Sequence, residues 1–254
     1  MLFEVEGADV KIIGAIHFLP AMNSSLPASY MSAIASSDEV VFESDVENPK
    51  FPEIARLQGS SLASYIPSGL YARASILWTS LGIPDSIDLF KPWFVALRIS
   101  MAIQISTGAD VNRGVDRQLA QHARELGKPR FVLEGIEVLE YFDQAPAAEV
   151  VRFLDFIVSD PKAIITRFQL LVRAWRESDF TLLDEVFLPF VQNFPVTHTR
   201  LLSGRNRAWL PSFLKAISEN RNTVFVIGCA HIKHGEDCCE NLLRQQRFVL
   251  RQVA

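Results

Sequence analysis

The sequence predicts an α/β fold: a central mixed, partly parallel sheet built from the N- and C-terminal ends of the chain, surrounded by a large helical middle region. Three observations carry this expectation. Two apolar, β-favouring runs near opposite ends, Ile12-Ile13-Gly14-Ala15-Ile16-His17 and Val226-Ile227-Gly228-Cys229-Ala230-His231, share one plan, a buried strand closing on Gly-x-x-His. Between them, from Pro52 to about Phe156, the pattern is mostly helical, punctuated by proline and glycine. No long linker or low-complexity tract divides the chain, so residues 1–254 read as one domain.

At the N-terminus, Leu2 to Val5 and Val10 to Ile16 read as two strands joined by a turn at Gly7-Ala8-Asp9. A loop from Phe18 to Pro27 leads into a helix from the Leu26-Pro27-Ala28-Ser29 start signal to about Ser36, then a strand at Glu39 to Glu43. This is a β-α-β unit. If its strands are neighbours, Glu43 and His17 share the rim at their carboxyl ends, where open α/β sheets bind ligands.

The middle breaks at Pro67-Ser68-Gly69, Gly82-Ile83-Pro84, Lys91-Pro92 and Thr107-Gly108. Its apolar residues, among them Leu70, Ile76, Leu77, Trp78, Phe90, Trp93 and Phe94, read as helix packing rather than a cofactor box. An amphipathic helix from Gly114 to Leu126 stops at Gly127 and feeds a strand, Arg130 to Glu134, which places a second carboxylate at a strand end. Further helices are expected over Ala145–Val158, Pro161–Trp175 and Leu182–Val191. The next opens at Gly204 and runs to Glu219. Thr223 to Ile227 opens the second Gly-x-x-His strand; Cys229 reads as a strand residue and a small buried hydrophobe, and a helix from Glu236 to Gln245 and a closing strand over Phe248–Leu250 follow.

Composition narrows the function classes. At 254 residues and 49% hydrophobic content, the chain can bury a sizeable core. Its net charge of -4 gives no basic footprint, so nucleic acid is not an expected partner. The longest apolar stretch, Trp93 to Ile105, is interrupted by Arg98 and Gln104 and falls short of the ~20 residues of a membrane span. Three cysteines, two of them adjacent as Cys238-Cys239, imply no disulfide framework and fit a reducing compartment. Met1 to Gly7 reads as the first strand rather than a signal peptide, so a cytoplasmic location is expected, although a leader trimmed beforehand would leave the same sequence.

Together the strand ends supply His17, Glu43 and His231, with Glu134 as a fourth candidate. Imidazole and carboxylate from separate strands are the donors a catalytic divalent metal uses, with one position left open for water or substrate. The alternative is that each histidine is a core residue satisfied by a backbone carbonyl. Glu134 could equally cap the following helix or pair with an arginine such as Arg205. A local zinc site at His231, His234, Cys238 and Cys239 is opposed by Gly235, a helix breaker. His122 and His198 read as surface or packing residues.

Several pieces, in order, resemble the TraB/GumN family, also called the TraB/PrgY/Tiki group. They are Gly14-Ala15-Ile16-His17, Val41-Phe42-Glu43-Ser44-Asp45, Gly114-Val115-Asp116, Gly127-Lys128-Pro129 with Leu133-Glu134, Arg205-Asn206 with Trp209, and Gly228-Cys229-Ala230-His231. The resemblance implies a metal-dependent hydrolase of metalloprotease type, using manganese, cobalt or zinc on a peptide or small acyl substrate. It makes His17 and His231 metal ligands and Glu43 a ligand or the general base. Arg205 and Asn206 become contacts for substrate or a developing oxyanion, against the reading that they only tie a helix start to the sheet. Related folds include erythromycin-esterase-like and haem-binding ChaN-like proteins, so the competing expectation is a non-catalytic peptide- or haem-binding protein. The family usually has a small apolar residue or Pro-Gly after its second histidine, where this chain has Ile232-Lys233-His234-Gly235.

Overall fold

The computed structural model describes residues 1–21, 25–45, 55–135 and 138–253. Strands β1 (Leu2–Val5) and β2 (Val10–Ala15) form the expected antiparallel hairpin, with Gly7 at φ 77° supplying the left-handed turn. The following loop carries a two-residue strand β3 (Leu19–Pro20), and then come α1 (Ala28–Ser36) and β4 (Glu39–Phe42). Pro52, the expected start of the helical middle, lies outside the described residues.

The middle region contains α2 (Ser68–Ser80), α3 (Pro92–Ser106), strand β5 (Ala109–Asp110) paired to β3, α4 (Val115–Glu125) and strand β6 (Arg130–Val132). Four further helices follow: α5 (Val138–Asp143), α6 (Ala147–Ser159), α7 (Pro161–Glu177) and α8 (Phe180–Asn193). Proline and glycine set the breaks as read: Pro92 starts α3, and Gly82 and Gly108, at φ 64° and 88°, follow α2 and α3. Asp160 and Asp179 cap α7 and α8 by accepting from the N–H groups of Ala163 and Leu182.

The C-terminal part departs from the reading in four places. The chain is already helical before Gly204: α9 (Pro195–His198) starts at Pro195, passes through a π-helical turn over Thr199–Gly204, and continues as α10 (Arg205–Ser218). Proline is a stronger start signal than Gly204. Strand β7 (Thr223–Gly228) ends before Cys229, which is buried as expected but turns helical at φ -57° into the short α11 (Ala230–Lys233). Gly235, at φ 85°, breaks the chain, so α12 (Cys239–Gln245) begins three residues later than Glu236. The closing strand β8 falls at Leu250–Gln252, because Arg247 at φ 69° and the Phe248 N–H bond to Leu243 O still belong to the helix end.

The main sheet has strand order β6-β4-β7-β2-β1-β8. β6, β4, β7 and β2 are parallel, β1 pairs antiparallel with β2, and β8 pairs antiparallel with β1. The condition that β2 and β4 be neighbours is not met: β7 lies between them, with Ile12, Phe225 and Val41 at one level. The reason is hydrophobic. Thr223 to Ile227 are all buried, as a strand covered on both faces requires.

The sheet core gathers Phe3, Ile12, Ile13, Val40, Phe225 and Val226 with Ile34, Leu119, Trp175 and Phe213 from the surrounding helices. A second apolar cluster, with Trp78, Trp93, Ile99 and Leu154, joins α2, α3 and α6. Ile76 is the exception to the packing expectation, being 71% exposed on α2. Trp175 donates its indole N–H to Gly14 O at 2.7 Å, tying α7 to β2. Any side chain at Gly14 would crowd Ile232 at 3.0 Å and Met1 at 3.2 Å.

Candidate active site

The carboxyl ends of the four parallel strands converge on one rim. Glu43 follows β4 directly, and its N–H bonds Val226 O in β7 at 3.0 Å. Glu134 lies two residues past β6, its N–H on Glu43 O at 3.2 Å. His17 lies two residues past β2, and His231 sits in α11 immediately after β7. Sequence therefore places all four correctly at strand ends, with His231 in the first helical turn.

His17 is held from outside the sheet. Its Nδ1 lies 2.6 Å from Oδ2 of Asp116 in the first turn of α4, while Asp116 Oδ1 accepts the Arg117 N–H at 2.9 Å. The Val115 N–H bonds Ile16 O at 2.9 Å and brings α4 against the end of β2. Gly114 permits this approach, since a Cβ there would stand 2.4 Å from His17 O. The nearby Asp116 carboxylate outweighs burial and raises the His17 pKa, so the ring favours its cationic form. The side chain is 53% exposed, and solvent tempers the effect.

Arg205 is the centre of the buried cluster. Its guanidinium donates from Nη2 to Glu43 Oε1 and Glu134 Oε1, from Nε to Glu134 Oε2 at 3.1 Å, and from Nη1 to Leu201 O at 3.1 Å and His231 Nε2 at 3.2 Å. The Trp209 ring lies 4.8 Å from the guanidinium carbon, and its indole N–H donates to Glu134 Oε2 at 3.2 Å. Of the two readings open for Glu134, the structure displays the arginine pair. Burial alone would push Glu43 up, but Arg205 first, with cationic His17 and the Gly228 N–H at 2.7 Å, holds it below the ordinary carboxylate range. Gly228 eases that approach: a Cβ there would stand 3.2 Å from Glu43 Oε2, tighter than an ordinary contact.

His231 is fully paired. Nδ1 lies 2.6 Å from Asn206 Oδ1, and the Asn206 Nδ2 donates to Asp237 O at 2.9 Å and His231 O at 3.4 Å, which fixes the orientation of the amide. The imidazole therefore carries its proton on Nδ1 and its electron pair on Nε2. Burial first, and Arg205 as the opposing cation, lower its pKa to about 3 and keep it neutral. Asn206 is 1% exposed with both ends of its amide committed, so it orients His231 rather than facing a substrate. Asp116 is the residue whose role sequence reasoning misses.

His17, His231 and Glu43 suit a divalent cation in donor chemistry: two nitrogens and an oxygen, each histidine held at Nδ1 by a partner that leaves Nε2 for a ligand. As arranged, the Arg205 guanidinium lies on the electron pairs of His231 and Glu43, which stand 4.0 Å apart. Among the described residues no three His, Cys, Asp or Glu side chains are gathered closely enough to hold a metal in this arrangement. The local zinc reading finds no support, because His234 turns to Asp184 and His198, and Cys239 Sγ contacts Asn206 Oδ1 at 3.7 Å. His122 lies on α4 as read, and His198 is buried, the packing alternative of its two readings. No described helix is long and apolar enough to cross a membrane.

Two relatives match at low identity. The chain is 24% identical over 244 residues to the uncharacterized protein YbaP of Escherichia coli (strain K12), covering 92% of this chain and 87% of that protein. The uncharacterized protein YbaP of Shigella flexneri matches equally, at 24% over the same coverage. No solved structure matches. The sequence profile of the TraB/PrgY/gumN family matches residues 1–252, so this chain, with its two Gly-x-x-His strand ends meeting one arginine-centred site, belongs to the TraB/PrgY/gumN family.

Proposed function

We propose that the protein is a hydrolase of a peptide or small acyl bond, using a divalent metal, manganese, cobalt or zinc, held by His17, His231 and Glu43. One observation supports this reading above the rest. Both histidines are fixed through Nδ1 by the acceptors Asp116 and Asn206, which leaves the Nε2 of neutral His231 as a donor and that of His17 as one when a metal displaces its proton. When bound, the metal would lower the pKa of water and polarise the scissile carbonyl. Asp116 and Asn206 orient the rings, Glu43 is a ligand or takes the proton from water, and Arg205, released from Glu43, neutralises charge on the carbonyl oxygen. Glu134 and Trp209 hold the guanidinium near that position.

The placement of Arg205 on two of the three electron pairs favours a second reading, a metal-free hydrolase. In it, His17 oriented by Asp116 is the general base once it has lost its proton, as pH rises through about 9, and Arg205 stabilises the oxyanion.

Elemental analysis and metal titration of the purified protein, beside His17→Ala and His231→Ala, with a peptide and ester panel, test the proposal. The metal reading expects bound manganese, cobalt or zinc, weakened in both variants, and hydrolysis abolished by chelation. Hydrolysis that survives chelation and is lost in His17→Ala selects the metal-free reading. No turnover, with a Soret band on haem titration or retention of a peptide, would instead make this a binding protein.

A further inference from the structure

A second cluster of titratable groups lies outside the candidate active site. His198 in α9 and His234 after α11 are both buried, and their Nε2 atoms face each other at 3.3 Å with the rings nearly perpendicular at 87°. His234 Nδ1 is 2.5 Å from Asp184 Oδ1 on α8 and so carries a proton, which leaves its Nε2 with an electron pair. His198 Nε2 then carries the proton between the rings. Phe187 and Phe190 wall the pair, at 5.2 Å from the His234 ring and 6.0 Å from the His198 ring.

The charged groups around it are few. Asp184 faces His234 from α8 with its side chain 59% exposed, and Glu149 from α6 is engaged by the N–H and hydroxyl of Thr197 at 2.9 and 2.7 Å. From α11, His231 is near enough for the charge of His198 to bear on it, while Lys233 pairs with Glu240 at 2.9 Å. Arg200 in the π-helical turn reaches Gln144 at 3.1 Å. Burial, with His234 second, lowers the His198 pKa and favours the neutral ring.

Such a contact needs one Nε2 electron pair. It survives one extra proton, which makes a charge-assisted bond, and fails on the second, which sets two imidazolium ions against each other in a poorly hydrated site. The position gives the failure a consequence. His198 belongs to the continuous helical segment that runs into Arg205 and Asn206, and His234 follows His231 by three residues. We infer that the His198–His234 pair is a proton-released clip, which holds the segment bearing Arg205 and Asn206 against the segment bearing His231 and opens when acidification protonates both rings. The inference stands whether or not the site is hydrolytic.

Hydrogen exchange of the full chain, corrected for intrinsic rates, reads the clip at residues 195–209 and 229–235. Between about pH 7.5 and about pH 5, opening of these stretches rises about tenfold in the parent. His198→Gln keeps an amide donor for His234 and cannot titrate, and its opening changes less than about twofold. A parent with no rise, or a variant with the same rise, overturns the inference. If His198→Gln does not fold, nitrogen NMR of the parent decides. One protonated and one bare Nε2, titrating as a coupled pair, supports the clip, and two rings titrating independently near the ordinary value of about 6.5 overturn it.

Discussion

Arg205 donates from Nη1 to the Nε2 of His231 across 3.2 Å, at the electron pair that a metal ligand would offer. With Nη2 on Glu43, the guanidinium is the first of the charges that balance the buried carboxylate. On the metal reading, Arg205 and the divalent ion would compete for the same donors. In Arg205→Gln, manganese or cobalt affinity measured by calorimetry rises by about tenfold or more, since two donors are released. Unchanged or weaker binding would show that these donors do not hold the metal.

The same substitution strands Glu43 and Glu134 in a buried place. Breaking such a pair costs about 3–5 kcal/mol, because an uncompensated charge remains. Chemical denaturation of metal-free Arg205→Gln is expected to show that loss, with part of it restored by cobalt. A loss below about 1 kcal/mol would mean that water reaches the cluster freely.

Asp116 sets the charge state of His17. The ring titrates well above its unfolded value of 6.5, towards about 9, and in Asp116→Asn the value falls back towards 6.5. The sign follows: a raised folded pKa contributes stability that is full below pH 6.5 and is lost as pH rises through about 9. Proton NMR of the imidazole C–H signals checks the titration. Denaturation at about pH 6 and about pH 10 should give a smaller difference in Asp116→Asn than in the parent. An unshifted His17 in the parent would remove the basis for pairing it with Asp116.

Gly114→Ala tests the approach of α4 to the sheet rim. Its Cβ would meet backbone, at 2.4 Å from His17 O, so α4 or the His17 loop must move. A loss of about 1–3 kcal/mol is expected, with displaced His17 resonances. Gly69→Ala is the control. Its nearest side-chain atom would be 3.9 Å away, and it lies within α2, so alanine there is neutral or stabilises by up to about 1 kcal/mol.

The strand ends were legible because a β-favouring apolar run that closes on a polar residue has one natural position in a parallel sheet. That logic locates His17, Glu43, Glu134 and His231, and the Gly-x-x-His repeat correctly joins the two ends. Partners across long separations were not legible. Gly114-Val115-Asp116 is visible as a motif, but the bond from Asp116 to His17 spans 99 residues and depends on how α4 seats. The insertion of β7 between β2 and β4 left no local trace either, since a parallel neighbour is set by which buried faces match. His198 and His234 look like ordinary polar residues until α8, α9 and α11 pack together.

The position of β7 also sets an order of assembly. β2 and β4 leave the ribosome early, yet the strand to which both hydrogen-bond begins at Thr223. Until β7 is made, one edge of each strand lacks its native partner, although β2 already has β1 and β4 can take β6 on the other side. The site therefore forms only after Thr223 to His231 has joined the sheet. A product interrupted before Thr223 would retain His17, Glu43 and Arg205 in its sequence while lacking the scaffold that makes them neighbours, and would be prone to self-association.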